Sequence, residues 1–258
     1  MDFTLEKYQE LLQIIKDNDI PTFGMHTWLK REPKRGILVR HDVDRKPNNA
    51  LKMAKLEKKL SINSTYYFRT TKGVFNNEII KEVADLGFEI GYHYEDLSEA
   101  GGDYEKAIKL FEKNLEKMRE IAEIKTIAMH GRPLSKYDNR DLWKKHDFKK
   151  YNLEAEAFLS IDYSDIYYLT DTGRSWSPQA INLRDHVQDK KEIESGLRTT
   201  DDLGAFILKH RDKRTALVAH PERWDDNFFD WSISLLRDTA VNLVKLVLKQ
   251  LPKWKLKN

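Results

Sequence analysis

The sequence predicts an α/β fold, a distorted (β/α) barrel of about seven parallel strands. Two observations carry that expectation. Short β-branched and aromatic runs alternate with longer amphipathic stretches, the pattern of parallel strands joined by helical crossovers. The length of 258 residues suits one barrel domain, and no glycine-rich phosphate loop follows the first strand, as a nucleotide-binding open sheet would require.

The elements follow in order. Leu5 to Lys16 is expected as a helix, with Tyr8, Leu11, Leu12 and Ile15 on one stripe, inside an N-terminal helical extension over 1–35. Gly36 to Asp42 is the first buried strand, and Pro47 to Leu60 a helix with proline in its first turn. Ser64 to Arg69 is a strand and Asn77 to Leu86 a helix closed by Gly87. Phe88 to His93 is the third strand, Asp103 to Ile121 a long helix, and Lys125 to His130 the fourth strand. Phe158 to Asp162 with Ile166 to Leu169 form a fifth strand region, and Ala180 to Leu183 a sixth. A helix over Thr200 to Lys209, a strand over Thr215 to His220 and a helix over Phe228 to Leu251 complete the chain.

Composition excludes several function classes. There is no cysteine, so thiolate zinc fingers, iron–sulfur clusters and cysteine nucleophiles are ruled out. With 34% charged residues and no long apolar run, no membrane span is expected. Met1 to Glu6 lacks the basic-then-apolar pattern of a secretory signal, which points to a cytoplasmic protein. The net charge of +3 is uneven: Lys249 to Asn258 form a basic tail of four lysines with no acid, and the remainder is nearly neutral. No basic patch in the body invites nucleic acid.

Polar residues gather where the strands end. Predicted strands finish in His41-Asp42-Val43-Asp44, in His93, in His130 and in His220. C-terminal strand ends converge on one mouth of a barrel, where active sites are built. Imidazoles and carboxylates meeting there suit a divalent metal that retains an open position for water. Asp42, His93 and His130 are the candidate ligands, with Asp44 as base and His220 as acid. The competing role for Asp42 and Asp44 is to cap the helix that begins at Pro47.

These residues resemble the polysaccharide deacetylase superfamily, carbohydrate esterase family four, over Ile37 to Trp224. Val39-Arg40-His41-Asp42-Val43-Asp44 occupies the place of the family's first motif, Thr-Phe-Asp-Asp-Gly, with Asp42 at the metal position and His41 at the base position. Glu89-Ile90-Gly91-Tyr92-His93 matches the strand and first histidine of the second motif, while Leu97 stands where a second histidine belongs. Met129-His130-Gly131-Arg132-Pro133 matches the third motif through Arg132-Pro133, and His130 is the candidate replacement ligand. Leu217-Val218-Ala219-His220 matches the last, whose histidine is a general acid. The stretches Arg40 to Asp44, Gly91 to Glu95, Met129 to Ser135 and His220 to Trp224 together resemble one uncharacterised branch of the superfamily.

The resemblance implies a metal-dependent hydrolase, foremost a de-N-acetylase or deacylase of a carbohydrate or glycan precursor. One divalent ion is implied, zinc first, with cobalt, manganese or nickel as alternatives. Asp44 or His41 would be the base, Arg132 would help the oxyanion, and His220 would protonate the amine. Tyr94, Tyr137 and Trp224 are candidates to stack on a sugar, and Asp162 and Asp171 to bind its hydroxyls. The alternatives are another amide or phosphoester hydrolase on the same scaffold, and an inactive carbohydrate-binding relic.

Overall fold

The computed structural model describes residues 1–132, 135–176, 187, 190–193 and 196–250. In chain order its helices and strands are α1 (Leu5–Asp17), β1 (Thr22–Phe23), α2 (Met25–Arg31), β2 (Gly36–Val43), α3 (Pro47–Leu60), β3 (Thr65–Phe68), α4 (Asn77–Asp85), β4 (Glu89–Tyr94), α5 (Asp96–Glu99), α6 (Tyr104–Arg119), β5 (Ile124–Met129), β6 (Ala155–Glu156), β7 (Ile166–Thr170), α7 (Thr200–Lys209), β8 (Arg214–Ala219) and α8 (Phe228–Gln250).

Seven strands run in the order β6-β5-β4-β3-β2-β8-β7, and β1 pairs with the start of β2. Every pairing is parallel. Among the described residues no ladder joins β6 to β7, so the curled sheet is a half-barrel open on one side. Every residue of β2, β3 and β7 is buried, as expected of a parallel sheet covered on both faces.

Two apolar clusters hold it. One fills the curl and the layer beneath α4 and α6, with Leu38, Tyr67, Phe68, Phe111 and Tyr168. The other lies between the outer faces of β2 and β8 and the helices α1 and α7, with Leu12, Ile15, Val39, Leu203 and Leu217. The N-terminal segment thus contributes four buried side chains of α1 to the body. The curl is tight at Gly91, where a Cβ would come within 2.2 Å of the Tyr67 ring.

The expected elements recur with small boundary changes. One strand does not form: Glu156 ends β6 by taking the amides of Phe158 and Leu159 on its own carboxylate, so 158–162 turn instead of extending. The expected strand over Ala180 to Leu183 and most of the basic tail lie outside the described residues. Short elements lacking a hydrophobic period, β1, α2, α5 and β6, have no counterpart in the sequence reading.

Candidate active site

Side chains of a strand alternate between its two faces, and β2 sorts its polar residues accordingly. Arg40 and Asp42 face the inside of the curl; His41 faces the helices. Arg40 grips Asp42 with two hydrogen bonds of 2.8 Å, Nε to Oδ1 and Nη2 to Oδ2. Asp44, one residue past the strand, continues the inward row.

Two imidazoles meet Asp44. His93 Nε2, from the end of β4, lies 3.2 Å from Asp44 Oδ1 and 3.8 Å from Asp42 Oδ2. His130 Nε2, just past β5, lies 3.4 Å from the same Asp44 oxygen. The far nitrogen of each ring is committed. His93 Nδ1 donates to the Ala128 carbonyl at 2.9 Å, and His130 Nδ1 donates to Glu95 Oε2 at 2.9 Å. A neutral imidazole that donates through Nδ1 presents Nε2 as an acceptor. Both Nε2 atoms thus turn toward one carboxylate oxygen, which is buried and takes no well-directed hydrogen bond.

The surroundings hold the carboxylates ionised. Burial opposes charge on Asp44, yet His130 and His93 bring its carboxyl well below the usual range. Glu95 behaves likewise: burial pushes it up, but His130 and Arg69 bring it down to about 2. Arg69 donates to Glu95 Oε1 through Nε at 2.9 Å and also through Nη2. For His130 burial lowers the pKa, and Asp44 with Glu95 raises it to about 9.

His220, directly after β8, forms a second centre with Asp171, directly after β7. Asp171 is wholly buried and accepts four hydrogen bonds. They come from His220 N at 2.9 Å, His220 Nδ1 at 2.6 Å, Arg223 Nη1 at 2.6 Å and Trp224 Nε1 at 2.9 Å. Burial and Arg223 lower the His220 pKa, but Asp171 outweighs them and lifts it to about 9.

The expected site residues divide clearly. Asp42, Asp44, His93, His130 and His220 all lie at the C-terminal ends of neighbouring strands. Arg132 reaches the same rim, its Nη1 3.8 Å from Glu95 Oε2. His41 does not: it is buried on the opposite face, with Nε2 2.7 Å from Glu57 on α3 and its ring stacked on Tyr66. Tyr94 also faces outward, where its hydroxyl bonds Glu156 and Trp143. Trp224 is fully buried among Phe3, Tyr8 and Trp176, so it cannot stack on a ligand. Asp162 is an exposed turn residue that accepts the Ser164 amide. Tyr137, partly buried, stands over Gly102. The sequence reading missed Arg40, Arg69, Glu95 and Arg223.

A group of three or more His, Asp or Glu already arranged as a metal cage is absent among the described residues. The donor types, two imidazoles and a carboxylate, nonetheless suit a divalent ion. Ligands about 2.1 Å from a tetrahedral ion stand about 3.4 Å apart, the spacing of Asp44 from each imidazole. Glu95 behind His130 and the Ala128 carbonyl behind His93 fix the tautomers such ligands need.

Fold and rim together define a parallel half-barrel with a carboxylate–imidazole centre at its mouth. No family model and no curated protein matches the sequence significantly. Solved structures of carbohydrate esterase family four are similar in fold. A putative polysaccharide deacetylase from Mycobacterium smegmatis aligns over 81% of this chain and 84% of its own, at 13% identity and a TM-score of 0.48. BA3943 of Bacillus anthracis, a pseudoenzyme of that family, aligns over 84% of this chain at 12% identity and a TM-score of 0.47. Bacillus subtilis PdaA, a family 4 carbohydrate esterase, aligns over 94% and 90% at 13% identity and a TM-score of 0.42. The chain spans 62% of the BA3943 structure. At such identities the likeness is one of chain topology.

Proposed function

We propose that the mouth is the active centre of a metal-dependent hydrolase that removes an acyl group from an amine of a carbohydrate or glycan precursor. The observation that carries the reading is Asp44 Oδ1. It is buried and without a hydrogen bond, and it faces two imidazole nitrogens whose partner nitrogens are already committed.

His93 Nε2, His130 Nε2 and an oxygen of Asp44 would hold the ion. When bound, such an ion lowers the pKa of water and polarises a carbonyl. The roles of the two aspartates are thereby exchanged relative to the expectation from sequence. Asp44 is the proposed ligand and Asp42 the proposed base, because the imidazoles converge on Asp44 while Arg40 fixes Asp42 beside them. Asp42 Oδ2, 3.8 Å from His93 Nε2, is placed to take a proton from the attacking water. His220 keeps its proton through Asp171 and would deliver it from Nε2 to the departing amine. Arg132, 44% exposed at the rim, is free to meet the developing oxyanion or an anionic group of the substrate.

A second reading, a binding protein that has lost catalysis, is favoured by the direct pairing of Asp44 with both histidines. Product analysis decides between them. Release of acetate from N-acetylated amino sugars should require added zinc or cobalt and vanish in Asp42→Asn with the ion still bound. Bound ion without turnover on any acylated amino sugar would favour the relic.

A further inference from the structure

The C-terminal helix α8 is inverted. Trp231, Ser234, Asp238 and Asn242, spaced i, i+3, i+7 and i+11, form the face that meets the body, and three of the four are polar. Ser234 accepts from Lys46 Nζ at 2.8 Å, Asp238 from Arg174 Nε at 2.8 Å, and Asn242 donates to the Gly173 carbonyl at 3.2 Å. Trp231 donates to the Asp2 carbonyl.

The opposite face is apolar and uncovered. Phe229, Ile233, Leu236, Leu243 and Val247 are 73%, 48%, 71%, 60% and 61% exposed, and Ala240 completes their stripe. A surface helix ordinarily turns its apolar face to the core, and a patch of this extent marks a contact surface. Charge indicates what that contact is. After Asp238 the chain has no acid, and Lys245, Lys249, Lys253, Lys255 and Lys257 follow.

We propose that α8 and the lysines after it dock on an anionic lipid surface, with the helix lying in the plane of the interface. A broad apolar face followed by a lysine-rich segment is the signature of such helices. A second copy of the chain fits less well. A second copy would bring the same lysines together with no acid after Asp238 to offset them, whereas an anionic surface attracts them. No helix among the described residues is long and apolar enough to cross a membrane, so the helix would lie on the bilayer. It docks beside the mouth, because its body face holds Arg45, Arg174 and Arg223 at the ends of β2, β7 and β8.

Sedimentation of the full chain with vesicles tests the proposal, using phosphatidylglycerol mixed into phosphatidylcholine against phosphatidylcholine alone. Binding is expected only with the anionic lipid and should weaken with salt. K253Q/K255Q/K257Q should lower the partition coefficient on the order of a hundredfold, since each lysine contributes roughly fivefold. L236E/L243E, with circular dichroism confirming the fold, should abolish binding. The proposal is overturned if the chain ignores both lipids, or if the lysine variant binds as well as the parent. It is equally overturned if light scattering finds a dimer that L236E/L243E dissociates while vesicles bind neither form.

Discussion

Asp171→Asn removes one oxygen from the most heavily used carboxylate of the mouth. Asp171 accepts from two donors on each oxygen, so an amide in either orientation deprives two of them and turns its own N–H groups toward them. Breaking a buried ion pair by removing one partner costs about 3–5 kcal/mol. Part of that cost has a pH signature. With its folded pKa lifted from 6.5 to about 9, His220 adds stability that is fully present below pH 6.5 and is lost as pH rises through 9. A gap of that size corresponds to about 3 kcal/mol. Without the Asp171 charge, burial and Arg223 remain, both of which lower the pKa. The substituted chain should therefore be less stable by about 3–5 kcal/mol near pH 6, and the difference should narrow toward pH 10. Urea denaturation across that range measures the gap, and NMR titration of the His220 ring measures the pKa. A loss below about 1 kcal/mol, or a ring still titrating near 9, would refute the argument.

Three further outcomes are expected. Burial lifts Asp96 from 3.8 to about 7 despite hydrogen bonds from Tyr92 and Asn114, so its neutral form favours folding below pH 3.8 and that gain is lost as pH rises through 7. Asp96→Asn should flatten about 4 kcal/mol of slope in that window, read by denaturation at several pH values. His41→Ala should cost about 1–3 kcal/mol, because Glu57 loses a buried partner, while titration calorimetry finds ion affinity unchanged. Glu95→Gln, by loosening His130, should weaken that affinity about 10- to 100-fold by the same assay.

The architecture was legible because period and length carry most of it. Parallel strands buried on both faces read as continuous apolar runs, and their helices as amphipathic stripes. The histidines at strand ends located the mouth for a topological reason, since C-terminal ends of parallel strands converge. What went astray was parity. Along Arg40 to Asp44 the alternation places Asp42 and Asp44 on one side and His41 on the other, yet motif alignment had put His41 at the base position. The same rule sends His93 inward and Tyr94 outward. Applied two residues before Asp42 and two after His93, it would have found Arg40 and Glu95. Asp171 ends a strand just as His220 does, but that it gathers four donors depends on how the turn after β8 folds back, which no local pattern records. Trp224 was misread for a related reason: an aromatic near a strand end is as ready to roof a carboxylate as to meet a sugar.

The ion itself is the most direct test. Elemental analysis of the full chain after zinc loading and desalting should find one ion per chain. It should find none in Asp44→Asn, His93→Ala or His130→Ala, while Asp42→Asn and His41→Ala keep theirs. An ion lost with Asp42 but retained without Asp44 or His130, or no stoichiometric ion in the parent chain, would contradict the account.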